Sequence, residues 1–175
     1  MTLSACTDED LMLQVQQGDD NAYAELFARY QRSVYGYTSR FIRDESRAQE
    51  VFQDTWLKVH RARHTYREGA RFKTWLFTIA ANTTRDAYRT SQRRIQTVDS
   101  PVEARTQGHR PSDHADIHAA IEGLSDSLRE AFYMGAVQGF DHNEVASALG
   151  ISPANARARI SRARTQLRAA LKGDA

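Results

Sequence analysis

Cysteine is almost missing from this 175-residue sequence, Cys6 being the single example. A lone thiol cannot close an internal disulfide, so the fold must hold without cross-links and a reducing compartment is permitted. Long apolar runs are missing too: no window approaches the roughly eighteen uninterrupted hydrophobic residues of a membrane-spanning helix. The N-terminus lacks a basic segment followed by an apolar one, which excludes a secretory signal and makes the cytoplasm the expected location. Strand-like alternation between turn signals is nowhere sustained, so sheets are not expected. No phosphate-cradling glycine loop, nucleophile elbow or HExxH spacing occurs. His60/His64 and His114/His118 each stand four apart, a spacing that can put two ligands on one helix face. Neither pair has a further Cys or His at a ligand spacing. The sequence therefore reads as a protein that is not an enzyme and holds no metal or cofactor.

What is present is ordinary in amount and uneven in placement. Hydrophobic residues make up 41% and charged ones 26%, the balance of a globular chain of one domain or two small ones. The net charge is only +2, but the charges are segregated. Met1 to Ala28 holds six acids and no Lys or Arg. Arg61 to Arg94 holds nine basic residues against Glu68 and Asp86, and Ser152 to Lys172 holds six with no acid. Two basic blocks suit two polyanion contacts; on charge alone they suit solvated helix faces equally well.

The weakest stretch for structure is 95–115, which carries two of the three prolines and no periodicity. It reads as a flexible linker between an N-terminal domain, 8–94, and a C-terminal one, 116–172. Both are expected to be helical. Leu11, Val15, Ala22, Leu26 and Tyr30 recur at helical spacing, with Gly18-Asp19-Asp20 as a break. Val51, Phe52, Thr55, Trp56 and Val59 make another one-sided stripe, and Phe72 to Arg89 a further helix after Gly69. In the C-terminal half, Ser127 and Glu130 fit a capping box that opens a helix ending near Gln138-Gly139. Asp141 and Glu144 open a short helix that Gly150 stops, and Ser152-Pro153 starts a long one to about Lys172.

A short helix, a glycine turn and a longer helix is the layout of a helix-turn-helix. Ile160, Leu167 and Leu171 are expected to point at the core of that domain. Arg157, Arg159, Arg162, Arg164 and Arg168 cannot all share their stripe, so several must face outward. Arginines on such a helix can pair with phosphates and grip guanine bidentately.

Leu124-Ser-Asp-Ser-Leu-Arg-Glu-Ala-Phe, Gly139-Phe-Asp-His-Asn-Glu-Val-Ala-Ser-Ala-Leu-Gly-Ile-Ser and Arg157-Ala-Arg-Ile-Ser-Arg-Ala-Arg together resemble the region 4 helix-turn-helix of extracytoplasmic-function (ECF) sigma factors. Separately, Gln53-Asp-Thr-Trp-Leu-Lys-Val and Phe72-Lys-Thr-Trp-Leu-Phe-Thr-Ile-Ala-Ala-Asn resemble that family's region 2. The resemblance covers nearly the whole chain and implies an all-α protein of two small helical domains that binds core RNA polymerase and promoter DNA. It implies polymerase docking through Glu50, Gln53, Asp54, Trp56 and Leu57, and recognition and melting of a −10 element by Tyr66, Arg67, Arg71, Lys73, Trp75, Asn82, Arg85 and Arg89. A −35 element would be read by Ser152, Asn155, Arg157, Arg159, Arg162 and Arg164. It also implies control by an anti-sigma factor, often one tethered to the membrane. A small-molecule substrate is not expected, and the free protein is expected to be monomeric. Among the region 2 aromatics, most are expected in the core; Phe52 favours it, and Trp56 suits core and interface equally. The sequence departs from the family at Asn155, Ala156 and Ala158 and at Arg47 and Gln49, which bears on the promoter sequence and on docking.

Two other readings compete. A helix-turn-helix repressor or activator shares the C-terminal features but leaves the first basic block and the Gln53 to Val59 motif without a role. A metal-sensing module would have to build a site from the histidine pairs alone.

Overall fold

The computed structural model describes residues 3–97 and 114–172, and among these every regular element is helical. The chain divides into two compact units with the break between Thr97 and Val98. Most of the expected linker, 98–113, lies outside the described residues.

The N-terminal unit contains α1 (Asp8–Gln16), α2 (Asp20–Phe41), α3 (Glu45–Ala62) and α4 (Phe72–Thr97). α4 runs three residues past the boundary expected at 94. Each of the first three helices starts on a side-chain oxygen. Thr7 accepts from the Asp10 amide at 3.1 Å, Asp19 from the Asn21 and Ala22 amides at 2.8 and 3.2 Å, and Asp44 from the Arg47 amide at 2.7 Å. Gly18, at φ +94°, makes the break between α1 and α2.

α2 is the spine, packing against α1, α3 and α4. Its buried residues Ala22, Leu26, Val34 and Tyr37 share the core of this unit with Leu11, Met12 and Val15 of α1, Phe52, Trp56 and Val59 of α3, and Phe72, Leu76, Phe77 and Ala80 of α4. Rings join the helices edge to face: Tyr37 meets Phe77 with centroids 5.9 Å apart, and Tyr30 meets Phe72 at 5.5 Å.

The N-terminal acids are tied into this core. Asp8 accepts from the Arg29 guanidinium at 2.7 Å and from the Tyr30 hydroxyl. Arg29 also donates to Glu25 and to the carbonyls of Leu3, Ser4 and Cys6, which closes the first turn onto α2. Burial, then the bond to Asp8, pushes the Tyr30 phenol well above its ordinary value. A raised folded-state pKa means the folded state holds this proton more tightly than the unfolded chain. The contribution is therefore complete below about pH 10, the ordinary phenol value, and is lost as pH rises through the folded value. Tyr30→Phe is accordingly expected to make thermal stability fall less steeply above pH 10 than in the wild type. Parallel curves for the two proteins would contradict this.

The C-terminal unit contains α5 (His114–Glu122), α6 (Asp126–Phe132), α7 (His142–Leu149) and α8 (Pro153–Lys172). α6 runs into a wide π turn, Tyr133–Val137. The expected capping box at Ser127 and Glu130 does not form. α6 begins at Asp126, with Ser125 in the cap position and Asp126 paired to Arg129. Two serines two apart offered alternative starts, and the chain uses the earlier. The second box forms in full: Asp141 accepts from the Asn143 and Glu144 amides at 2.8 and 2.9 Å, and Glu144 accepts from the Asp141 amide at 2.9 Å.

Gly150 stops α7 in the left-handed conformation, φ +66° and ψ 38°, while the Ile151 amide returns to the Ala146 carbonyl at 3.0 Å. Gly150→Ala meets no steric neighbour but must adopt that backbone. It is expected to cost about 1 kcal/mol and to lower the melting temperature of this unit by roughly 4–8 °C. An unchanged melting temperature would show that the turn tolerates a Cβ.

The core of this unit joins Leu124, Leu128, Ala131, Met134 and Phe140 to Val145 and Leu149 of α7 and to Ala156, Ile160, Ala163 and Leu167 of α8. Leu171, expected in the core, is 44% exposed. Gly135 lets the π turn press on α8: a Cβ there would come within 2.9 Å of Ile160 Cδ1.

Candidate nucleic-acid and protein interfaces

The inner stripe of α3 is set by Ala48, Val51, Phe52, Thr55, Trp56 and Val59, which are buried. Helical periodicity then puts Glu50, Gln53, Asp54 and Leu57 together on the outer face, at intervals of three and four residues. All four are exposed, and Leu57, 55% exposed, is a large apolar side chain set among polar neighbours. Arg47 lies 3.7 Å from Glu50, and Lys58 3.2 Å from Asp54, as exposed pairs worth a few tenths of a kcal/mol at most by the roughly 0.3–0.5 kcal/mol measured for such pairs. Trp56, which the resemblance offers for docking and the sequence suits equally to core and interface, belongs to the core. It is 4% exposed, and its ring packs on Phe27 with centroids 4.9 Å apart and on Tyr23 at 6.0 Å.

Between α3 and α4, residues 63–71 form an ordered loop. A short turn at Arg63–Thr65 leads into Tyr66, and Gly69 at φ +82° turns the chain back towards α4. Tyr66 is buried, so it supports the loop instead of offering a ring to solvent. Its hydroxyl donates to the Ala70 carbonyl, and its ring meets Trp75 at 5.5 Å. Burial first, then Glu9 and Asp8, raises its phenol above the ordinary value. Arg67 and Arg71 are exposed on the loop, while Lys73 and Trp75 are half-buried at the start of α4.

Farther along α4, Leu76, Phe77, Ala80, Ala81, Thr83 and Thr84 are buried, which turns Asn82 and Arg89 outward. Arg85 is half-buried and donates to Asn82 Oδ1 at 3.1 Å. This bond fixes an amide and a guanidinium side by side on the outer face.

Two contacts that no local pattern announces secure the loop. The Gln16 side-chain amide, at the end of α1, donates to the carbonyls of both Arg63 and Tyr66 at 2.8 Å. The Glu9 carboxylate accepts from the Phe72 amide at 3.0 Å and so caps α4 from a different helix. Partners some fifty residues away by the chain leave no trace in spacing or propensity.

On α8, the buried residues Ala156, Ile160, Ala163 and Leu167 define the inner face. At about 100° per residue, the arginines fall on two opposite flanks. Asn155, Arg159 and Arg162 share one flank; Arg157, Arg164 and Arg168 share the other. Ala154, Ala158, Ser161 and Thr165 lie outermost between them, with only Ala158 half-buried. Arg159 Nε donates to Asn155 Oδ1 at 3.1 Å, which orients both. Ser152 is exposed but caps the helix, accepting from the Asn155 amide at 3.2 Å. Small residues on the front allow close approach of the backbone, while cations on both sides can reach two strands. No helix is long and apolar enough to cross a membrane, and no group of three metal-ligating side chains occurs, among the described residues.

Comparison with known proteins decides between the readings. Residues 26–94 match the Sigma-70 region 2 family and residues 114–167 the Sigma-70 region 4 family. The chain is 36% identical to the RNA polymerase sigma factor CarQ of Myxococcus xanthus, over 90% of this chain and 93% of the relative. The chain is an ECF sigma factor. The RNA polymerase sigma-H factor of Pseudomonas aeruginosa is 30% identical, with 94% of both chains covered. Among solved structures, CnrH in complex with the cytosolic domain of CnrY is 27% identical with a TM-score of 0.75, covering 96% of this chain and 99% of that one. The sigma factor RpoE in complex with the anti-sigma factor NepR from Bartonella quintana is 25% identical with a TM-score of 0.75, over 87% of this chain and 98% of that one. This sigma factor is thus a transcription initiation factor that directs RNA polymerase to promoters, and not an enzyme.

Proposed function

We propose that this sigma factor divides promoter work between its two units, with 8–94 acting as region 2, 116–172 as region 4 and 95–115 as the tether. The exposed α3 face of Glu50, Gln53, Asp54 and Leu57 holds core RNA polymerase. The loop 63–71 and the outer face of α4 take the opened −10 strand through Arg67, Arg71, Lys73, Trp75, Asn82, Arg85 and Arg89. In that arrangement Tyr66 and Trp56 act as supports beneath the contact surfaces. α8 enters the major groove at the −35 element with Asn155, Arg157, Arg159, Arg162 and Arg164, and Ser152 fixes its start.

The observation that carries this reading is the division of α8 into a buried stripe and two arginine flanks, behind a fully formed glycine turn. So many like charges on one helix call for an anionic counterpart, which a DNA duplex supplies. The solved relative RpoE, held in complex with the anti-sigma factor NepR, supports a further element: an anti-sigma factor covers these surfaces until a signal releases them. The cytoplasm, where polymerase and DNA meet, is the proposed location.

Cross-linking tests the division directly. A photoreactive residue is placed at Asn82 or at Thr165, and each variant is assembled with core polymerase on one promoter. The Asn82 probe should mark the strand around the start-proximal element, and the Thr165 probe the duplex upstream. Marks at the same place, or in the reverse order, would overturn the assignment.

A further inference from the structure

We infer that Gln16 is a positioning residue for strand capture: its amide holds the 63–71 loop in the one shape that receives an unstacked base. The inference deepens the function proposed for this loop and rests on it. An unstacked base is captured at a cost, and a binding surface offsets that cost only if its own walls are already fixed. Residues 63–71 have no regular structure beyond the short turn at 63–65, and Gly69 contributes a backbone with wide conformational freedom. Such a segment left to itself would sample many shapes.

Here it is fixed at three heights. Gln16 uses its side-chain amide on two features of the loop, the Arg63 carbonyl where the turn opens and the carbonyl of Tyr66 just past its end. The Tyr66 hydroxyl closes the loop onto Ala70, and Glu9 caps Phe72 where the loop enters α4. The two outer ties come from α1, an acidic helix that offers no cation to DNA. Gln16 is half-buried at the end of that helix, while Arg67, Arg71 and half-buried Trp75 present the groups suited to phosphate and base. The side chain therefore acts through the loop and touches no nucleic acid itself.

The test uses the full chain assembled with core polymerase and a single-stranded oligonucleotide carrying the −10 non-template strand. Each base in turn is replaced by an abasic site. The wild type is expected to lose about tenfold in affinity at one captured position, the size typical of losing one stacked base. In Q16M, which keeps length but removes both donors, that penalty should fall to less than about twofold, with polymerase association and upstream duplex binding unchanged. Q16K, whose ammonium can donate to the same two carbonyls, should restore it. A wild-type penalty retained in Q16M would overturn the inference while leaving strand capture by the loop intact. No penalty at any position in the wild type would overturn both. If Q16M fails to fold, Q16A, which also removes both donors, decides: a folded protein whose penalty falls below about twofold supports the inference, and one that keeps the wild-type penalty refutes it.

Discussion

Leu57→Glu is expected to weaken association with core RNA polymerase by roughly a hundredfold, about 2.7 kcal/mol, without unfolding the sigma factor. Leu57 is 55% exposed on the outer face of α3, so the substitution removes no core contact and keeps a good helix former. What it removes is the apolar centre of a face whose other members, Glu50, Gln53 and Asp54, are polar. Interfaces concentrate binding energy in such a centre, and a carboxylate there would be desolvated without a partner. Titration of labelled polymerase with wild type and variant measures the effect, and thermal unfolding of the free proteins controls for the fold. Trp56→Ala makes the contrast. Adjacent in sequence but turned into the core, it should cost about 3–5 kcal/mol of stability and impair every activity together. If Leu57→Glu bound polymerase as well as the wild type, the α3 face would not be the docking surface.

The second large effect concerns α8. Replacing Arg157, Arg162 and Arg164 together by alanine is expected to lower promoter affinity by two to three orders of magnitude at moderate salt. It should also reduce the salt slope by about one unit per residue. The three come from both flanks of the helix, whose front carries Ala154, Ala158, Ser161 and Thr165 between them. Cations so placed meet phosphates on either side of a groove, so the loss should be similar across promoter sequences. Asn155→Ala should behave differently. It breaks the 3.1 Å bond that orients Arg159, so discrimination at one or two base pairs should relax while the salt slope stays near wild type. A triple variant with an unchanged slope would remove phosphate contact from α8.

Much of the fold was legible because its signals are local. The Asp141–Glu144 box, the Gly150 stop and the Ser152-Pro153 start are each decided within four residues, and each formed as the spacing indicates. Where two local signals competed, the reading slipped: Ser125 and Ser127 both suit a cap, and α6 took the earlier. Longer-range facts were less accessible. Leu171 continues the periodic stripe of α8, yet remains 44% exposed where the core ends. Trp56 and Leu57 are neighbours in the docking motif. Only the packing of Phe27 and Tyr23 from α2 shows that the tryptophan faces inward and the leucine outward. The resemblance offers Tyr66 as a −10 contact within a basic, aromatic stretch, but its hydroxyl is taken by Ala70 and the residue is buried. Glu9 and Gln16 left no sequence signal at all, since each acts on a segment distant along the chain.

The most direct measurement is run-off transcription from a promoter library with purified core RNA polymerase. Adding this sigma factor should produce RNAs whose start sites share two sequence elements at a fixed separation, and Leu57→Glu should abolish them. RNA output no greater than from core polymerase alone, with folded and monodisperse protein, would contradict the proposed division of labour between its two helical units.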